Sequence, residues 1–148
     1  QRVKLAKTLG SLMATYWMQH PVESDIVVPV PLHATRLRER GYNQAALLAR
    51  GLGARWGMAV ADGDALRRIR ATPHQVELDY AGRQLNVQGA FAAQPSLVAN
   101  RDIVLVDDVC TTGATLDACA KALLAQGARS ASAVTLARAS GSAGQGAV

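Results

Sequence analysis

The sequence predicts an α/β domain: a mainly parallel, twisted sheet with helices on both faces and a small antiparallel excursion. Three observations carry that expectation. Two short apolar runs, residues 25–30 (DIVVPV) and 103–106 (IVLV), each end in turn chemistry and feed a helical pattern. A run of that kind is a buried parallel strand leading into a loop at the carboxyl edge of a sheet. A third run, residues 132–138 (SAVTLAR), follows the second of those helices. At 148 residues the chain makes one domain, large enough for a single core without disulfide or metal staples.

Taken in order, Val3, Leu5, Leu9, Leu12, Met13, Tyr16 and Trp17 fall near helical spacing, and Pro21 ends the run. The expectation is an amphipathic helix packed on the core; Tyr16 and Trp17 facing a partner is the alternative. Residues 25–30 form a buried strand whose ladder Pro29 and Pro31 break at the carboxyl end. The chain leaves the sheet through residues 31–44 (PLHATRLRERGYNQ), and 45–56 return to helix. Residues 58–60 suggest a short strand. Residues 65–70 and 87–91 are two more, flanking a polar segment that contains Pro and Gly, which suggests the antiparallel excursion. After the strand at 103–106, residues 116–126 are helical and Gly127 stops them. Residues 140–148 (SGSAGQGAV) read as a flexible tail without function, leaving 1–139 as the domain.

Composition narrows the class. The net charge is +5, with arginine far outnumbering lysine. That balance suits a polyanionic small ligand or nucleic acid, and equally plain solubility. No run is long enough to span a membrane, and no signal peptide is visible. Cys110 and Cys119 lack zinc spacing and are expected to be buried thiols in a reducing compartment, hence the cytoplasm. The chain opens at Gln1 without Met, so the natural protein is expected to begin earlier.

The chemistry concentrates in residues 103–115, IVLVDDVCTTGAT. Asp107 and Asp108 lack metal-ligand spacing and suit vicinal hydroxyls such as a ribose diol. They point to opposite sides if the strand continues through them, but a turn can bring both onto one ligand. Past the bridging Val109 and Cys110, Thr111, Thr112, Gly113, Ala114 and Thr115 offer hydroxyls and backbone N–H groups at a helix N-terminus, a phosphate site. Gly113 lets the backbone close on the phosphate without a Cβ in the way. The stretch therefore reads as a ribose 5-phosphate site. A nucleotide P-loop is excluded, because no Lys follows Gly113. A phosphoacceptor receiver domain is excluded because too little chain follows Asp108. The loop after the first strand carries Arg36, Arg38, Arg40, Gly41, Asn43 and Gln44. It is either a solvated basic turn or, beside a ribose-phosphate site, the holder of a pyrophosphate. His74 is an ordinary solvated loop histidine.

Residues 103–115 resemble the binding motif of type I phosphoribosyltransferases for phosphoribosyl pyrophosphate (PRPP), with Cys110 where an aliphatic residue is more usual. The stretch VPVPLHATRLRERGYNQAALLA resembles the signature of the ComF family, competence-associated proteins with a phosphoribosyltransferase-like domain. So does the later pattern of Arg70, Thr72, Gln75, Leu78, Arg83, Asn86, Gly89, Ala90 and Phe91. With the PRPP motif, the resemblance covers most of residues 25–139.

The resemblance implies the type I phosphoribosyltransferase-like fold, with the antiparallel excursion as a hood loop that closes over PRPP and keeps water from the reactive carbon. Arg70, Thr72, Gln75, Arg83 and Asn86 belong to that loop, Arg70 and Arg83 as phosphate or leaving-group contacts. Asp107 and Asp108 would be the catalytic pair, holding the ribose while an acceptor displaces pyrophosphate from the anomeric carbon. Pro31, Arg36, Arg40, Gly41, Asn43 and Gln44 would form the pyrophosphate loop, which in the wider fold can hold a non-proline cis peptide. Mg²⁺ would be carried by the substrate, with no direct protein ligand. The alternative is a non-catalytic PRPP- or nucleotide-binding accessory protein in DNA uptake or utilisation. It would touch DNA weakly and electrostatically and would meet proteins of the competence machinery. A homodimer stays open. Full-length relatives carry an N-terminal zinc-binding segment that this chain lacks.

Overall fold

The computed structural model describes residues 2–21, 23–61, 63–71 and 86–139, with side chains from Thr8 onward. In chain order the elements are α1 (Arg2–Gln19), β1 (Ile26–Pro29), α2 (Ala34–Arg40), α3 (Gln44–Trp56), β2 (Ala59–Val60), β3 (Leu66–Arg68), β4 (Phe91–Ala93), α4 (Pro95–Val98), β5 (Asp102–Cys110), α5 (Ala114–Ala125) and β6 (Ser130–Arg138). The β1 segment IVVP is buried at every position. A strand so rich in β-branched residues and buried throughout needs cover on both faces. It lies inside a four-stranded sheet of order β2-β1-β5-β6, parallel at every pairing.

The side-chain alternation of the strands divides the core into two layers. Val27, Val104, Val106 and Val134 face one side and pack with Met13 and Ala14 of α1 and with Leu48, Ala49 and Leu52 of α3. Ile26, Val28, Ile103 and Leu105 face the other, against Cys119 and Leu123 of α5, Val98 of α4, and Leu66 and Phe91 of the small sheet. Helix α1 reaches α3 through Gly10, where an added Cβ would stand 2.9 Å from the Leu48 carbonyl oxygen and 3.1 Å from Gly51 Cα. Trp17 and Trp56 extend that contact with ring centroids 5.1 Å apart, and Trp56 Nε1 donates to the Ala14 carbonyl at 3.3 Å. Strands β3 and β4 form a separate antiparallel pair, Arg68 opposite Phe91, which is the expected excursion.

Several boundaries differ from the sequence expectation, each for a local reason. Strand β5 runs on through both aspartates to Cys110, because β6 continues beside it to Arg138. Residues 31–44 are not all loop: His33 Nδ1 accepts from Thr35 N–H at 3.3 Å, starting the short α2, and Gly41 ends it at φ 78° with its N–H on the Leu37 carbonyl. The strand expected at 87–91 begins only at Phe91. Gly89 has φ 65°, and Ala90 N–H closes a turn onto the Val87 carbonyl at 3.1 Å. On α1, Leu12 and Tyr16 are 59% and 62% exposed rather than in the core, since Met13 and Ala14 take the face toward α3. Cys119 is buried as expected, whereas Cys110 is only half-buried. The expected tail, residues 140–148, lies outside the described residues. Among the described residues no helix is long and apolar enough to cross a membrane.

Candidate functional site

Strands β1 and β5 are parallel neighbours, and the chain leaves them in opposite directions: toward β2 after β1, toward β6 after β5. The carboxyl edge between two such strands is a topological switch point, where open α/β sheets leave a crevice for ligands. Val30 N–H donates to the Val106 carbonyl at 2.9 Å, so the strands stay paired to the point where their loops begin. The segments 31–44 and 107–115 therefore open side by side on one edge of the sheet.

Asp107 and Asp108 sit where β5 emerges from the core, after the buried Val106, and both are half-buried. Each carboxylate turns back on the chain. Asp107 Oδ1 accepts from Asp108 N–H at 2.9 Å, and Asp108 Oδ1 accepts from Val109 N–H at 2.8 Å. Burial, with the neighbouring Asp108 charge, pushes the Asp107 carboxyl up to about 7, against the lowering effects of the Asp108 N–H bond and the Arg68 guanidinium.

Arg68 is the site residue that sequence reasoning passed over in favour of Arg70. Its backbone forms a parallel bridge with His33, which stitches the excursion to the loop after β1. Its guanidinium lies over the Phe91 ring, 5.4 Å from the centroid. Burial and the Arg36 charge lower its pKa, while Cys119 and Asp107 act the other way. Arg36 and Arg70 both act electrostatically on Arg68, and Arg68 in turn acts on Asp107. The only signal for Arg68 in the sequence is the RRIR run at 67–70, whose alternation puts Arg68 on the opposite face from its neighbours.

After β5, Thr111 to Gly113 turn the chain into α5. Gly113 caps the helix at φ 82°, and nothing lies within 4 Å of where its Cβ would be. Thr112 Oγ1 accepts from Ala114 N–H at 3.4 Å. The first-turn N–H groups of α5 have no partner within the helix, the feature that attracts an anion, while Asp117 adds a carboxylate to that turn. Ala114 is buried and Thr115 half-buried.

In the neighbouring segment Pro31 is buried and Arg36 half-buried, while Arg38 and Arg40 are exposed in the last turn of α2. Gly41 serves as the cap of α2. Asn43 caps α3: its Oδ1 accepts from Ala45 N–H at 3.1 Å and its Nδ2 donates to the Val30 carbonyl at 3.0 Å. The Asn43 amide therefore holds the base of the loop, and Gln44 opens α3 half-buried. Arg70 donates to the carbonyls of Asn86 at 3.2 Å and Gln88 at 2.5 Å, clasping the two ends of the excursion. Thr72, Gln75 and Arg83, with His74 and Leu78, lie outside the described residues. No cis peptide occurs among the described residues, nor any cluster of three or more His, Cys, Asp and Glu side chains able to hold a metal.

Comparison with known proteins agrees with this geometry. Residues 39–145 match the model of the phosphoribosyl transferase domain family. The DNA utilization protein YhgH of Escherichia coli K12 is 41% identical over 104 residues, covering 70% of this chain and 45% of that protein. Competence protein ComFC of Bacillus subtilis is 32% identical over 126 residues, 84% of this chain and 49% of that protein. The chain thus spans about half the length of these curated relatives. Among solved structures, the glutamine PRPP amidotransferase of B. subtilis superposes with a TM-score of 0.60 at 21% identity, covering 88% of this chain and 26% of that one. Adenine phosphoribosyltransferase from Thermoanaerobacter pseudethanolicus gives 0.52 at 15%, covering 89% and 79%. At those identities the two structures speak for the fold alone. The domain match over residues 39–145, with relatives named for competence and DNA utilisation, establishes that this chain belongs to the ComF family of proteins with a type I phosphoribosyltransferase-like fold.

Proposed function

We propose that the chain binds PRPP with Mg²⁺ and transfers its phosphoribosyl group to an acceptor, releasing pyrophosphate. One observation supports this reading: at the edge where the neighbouring parallel strands β1 and β5 diverge, Asp107 interacts with Arg68, which is itself within the field of Arg36 and Arg70. In this reading Asp107 and Asp108 accept from the ribose hydroxyls, residues 111–115 hold the 5-phosphate, and Arg36 with the 31–44 segment holds the pyrophosphate. Mg²⁺ would neutralise the leaving group, its ligands coming mainly from the pyrophosphate, the ribose hydroxyls and water, with the aspartates as outer acceptors. As the bond from the anomeric carbon to pyrophosphate breaks, positive charge grows on the ribose, and in this reading the two carboxylates stabilise it. The setting would be cytoplasmic.

The second reading is a non-catalytic PRPP- or nucleotide-binding protein that serves DNA uptake or utilisation, and the names of the relatives favour it. A turnover assay with PRPP, Mg²⁺ and a panel of bases and amines separates the two. Pyrophosphate release that depends on the acceptor supports transfer. DNA binding that falls steeply with salt, with no pyrophosphate release, supports the accessory role. The ribose assignment has its own test. Asp107→Asn with Asp108→Asn should weaken PRPP roughly a hundredfold or more, since each charged hydrogen bond contributes about 1.5–3 kcal/mol. Unchanged affinity by calorimetry would overturn it.

A further inference from the structure

Strands β3 and β4 share a short ladder whose last pair is Arg68 opposite Phe91. One more backbone bond lies beyond it, from Ile69 N–H to the Ala90 carbonyl at 2.8 Å. There the returning chain turns: Ala90 N–H folds onto the Val87 carbonyl, and Gly89 has φ 65°. A two-stranded ribbon of this length is marginal in water. Arg70 reaches across at that point, its Nη2 donating to the Asn86 carbonyl at 3.2 Å and to the Gln88 carbonyl at 2.5 Å. We propose that Arg70 is a positioning residue and not a ligand contact: it clasps the neck of the excursion and so holds Arg68 at the crevice. The clasp stands without the phosphoribosyl reading; only its effect on turnover rests on that reading.

The chemistry of the guanidinium favours the clasp. An arginine grips a carboxylate or phosphate through one of two forks, Nη1 with Nη2 or Nε with Nη2. Both forks need Nη2, which carries two N–H groups and already serves two carbonyls. A two-pronged grip on an anion would therefore cost a clasp bond. The positive charge of Arg70 is also unfavourable for Arg68, so what Arg70 contributes here is its hydrogen bonds. Their effect has a route to the site. Ile69 lies between Arg70 and Arg68, and fixing Arg70 onto residues 86–88 keeps the Ile69–Ala90 bond closed. Arg68 is then set by its backbone bridge to His33, by its pairing with Phe91, and by its guanidinium 5.4 Å over the Phe91 ring. Arg68 is the arginine whose charge acts on Asp107.

The test uses the full chain with Arg70→Ala and Arg70→Lys. In the ligand-free protein, amide exchange at Ile69 and Ala90 should quicken roughly tenfold in Arg70→Ala, while residues 104–106 exchange as in the parent. Arg70→Lys, which keeps a donor, should quicken it less. The Arg68 Nε–H resonance, placed by the Phe91 ring, should move toward its free position in Arg70→Ala and return part of the way in Arg70→Lys. Pyrophosphate with Mg²⁺ should bind Arg70→Ala within about twofold of the parent by calorimetry, because a charge outside the contact is screened. In PRPP turnover, kcat should fall several-fold with KM for PRPP unchanged. Exchange and the Arg68 resonance left as in the parent would overturn the proposal. So would pyrophosphate affinity reduced roughly tenfold or more, the loss that a charged ligand contact predicts. A parent that neither binds nor turns over PRPP overturns the phosphoribosyl reading instead, and the exchange and Arg68 measurements then decide the clasp alone.

Discussion

Asp107 is a carboxylate that the fold penalises and the ligand would use. Its folded value near 7 stands above the ordinary 3.8, with burial as the main cause. Between those two values the folded chain holds a proton that the unfolded chain has lost, so stability falls as pH rises across that window. The expected outcome is a melting temperature that drops between about pH 4 and 7 in the free protein and levels off above that, with a flatter profile in Asp107→Asn. An Asp107→Asn profile as steep as the parent's would show that another group is responsible. Cys119, buried at the same place, has its thiol pushed up by burial and stays neutral throughout. The aspartate pair and Gly113 were legible in the sequence because carboxylates and a loop glycine after an apolar strand have few structural uses. Arg68 was not, because its role comes from the bridge to His33 and the packing on Phe91, contacts between residues far apart in the chain.

At the scale of elements, periodicity located the long strands and helices, and local capping decided where they stop. The segment 31–44 shows the limit. Its prolines and arginines announced a loop, yet His33 and Gly41 supply the two caps of a short helix, and α2 presents Arg36 inward and Arg38 and Arg40 outward. Of the arginines expected to hold pyrophosphate, Arg36 is thus the one the helix turns toward Arg68. The packing of α1 on α3 was legible only as an apolar face; the reason the helices come so close is Gly10, opposite Leu48 and Gly51. Gly10→Val should force the two backbones apart and destabilise the protein by about 1–3 kcal/mol, the usual cost of overpacking. Thermal or urea unfolding checks it, and a variant as stable as the parent would mean that α1 moves away at little cost.

Over the whole molecule the sheet is polar, with its two ends given to different tasks. The amino end is closed by charge: Arg129 meets both Asp25 and Asp102, at 3.1 Å for Asp25, Ser130 Oγ donates to Asp102 at 2.7 Å, and Asp25 also accepts from Asp102 N–H. These contacts tie β5 to β6 and to the chain entering β1, and they hold the Asp102 carboxyl below its ordinary value, Arg129 first and Ser130 second. The carboxyl end carries Asp107 and Asp108 at the point where the loops diverge, with Arg68 acting on Asp107. This division was legible from strand direction alone, since two parallel strands must open their loops on one edge; which strands are neighbours was not. It leads to a paired prediction. Arg129→Ala should lower the melting temperature modestly, the part due to the exposed Asp25 pair shrinking as salt is raised and the part due to the largely shielded Asp102 carboxylate less so. It should leave pyrophosphate and PRPP affinity unchanged, the site being at the far end of β5. Arg36→Ala with Arg40→Ala should do the reverse. Pyrophosphate binding should fall by roughly tenfold or more, most of it from Arg36, with little change in melting temperature, because α2 has no buried residue to lose. Calorimetry and thermal unfolding on the same two proteins measure both halves. A loss of binding in the Arg129 variant, or pyrophosphate held as tightly by the double variant as by the parent, would place the anion somewhere other than the crevice between the two loops.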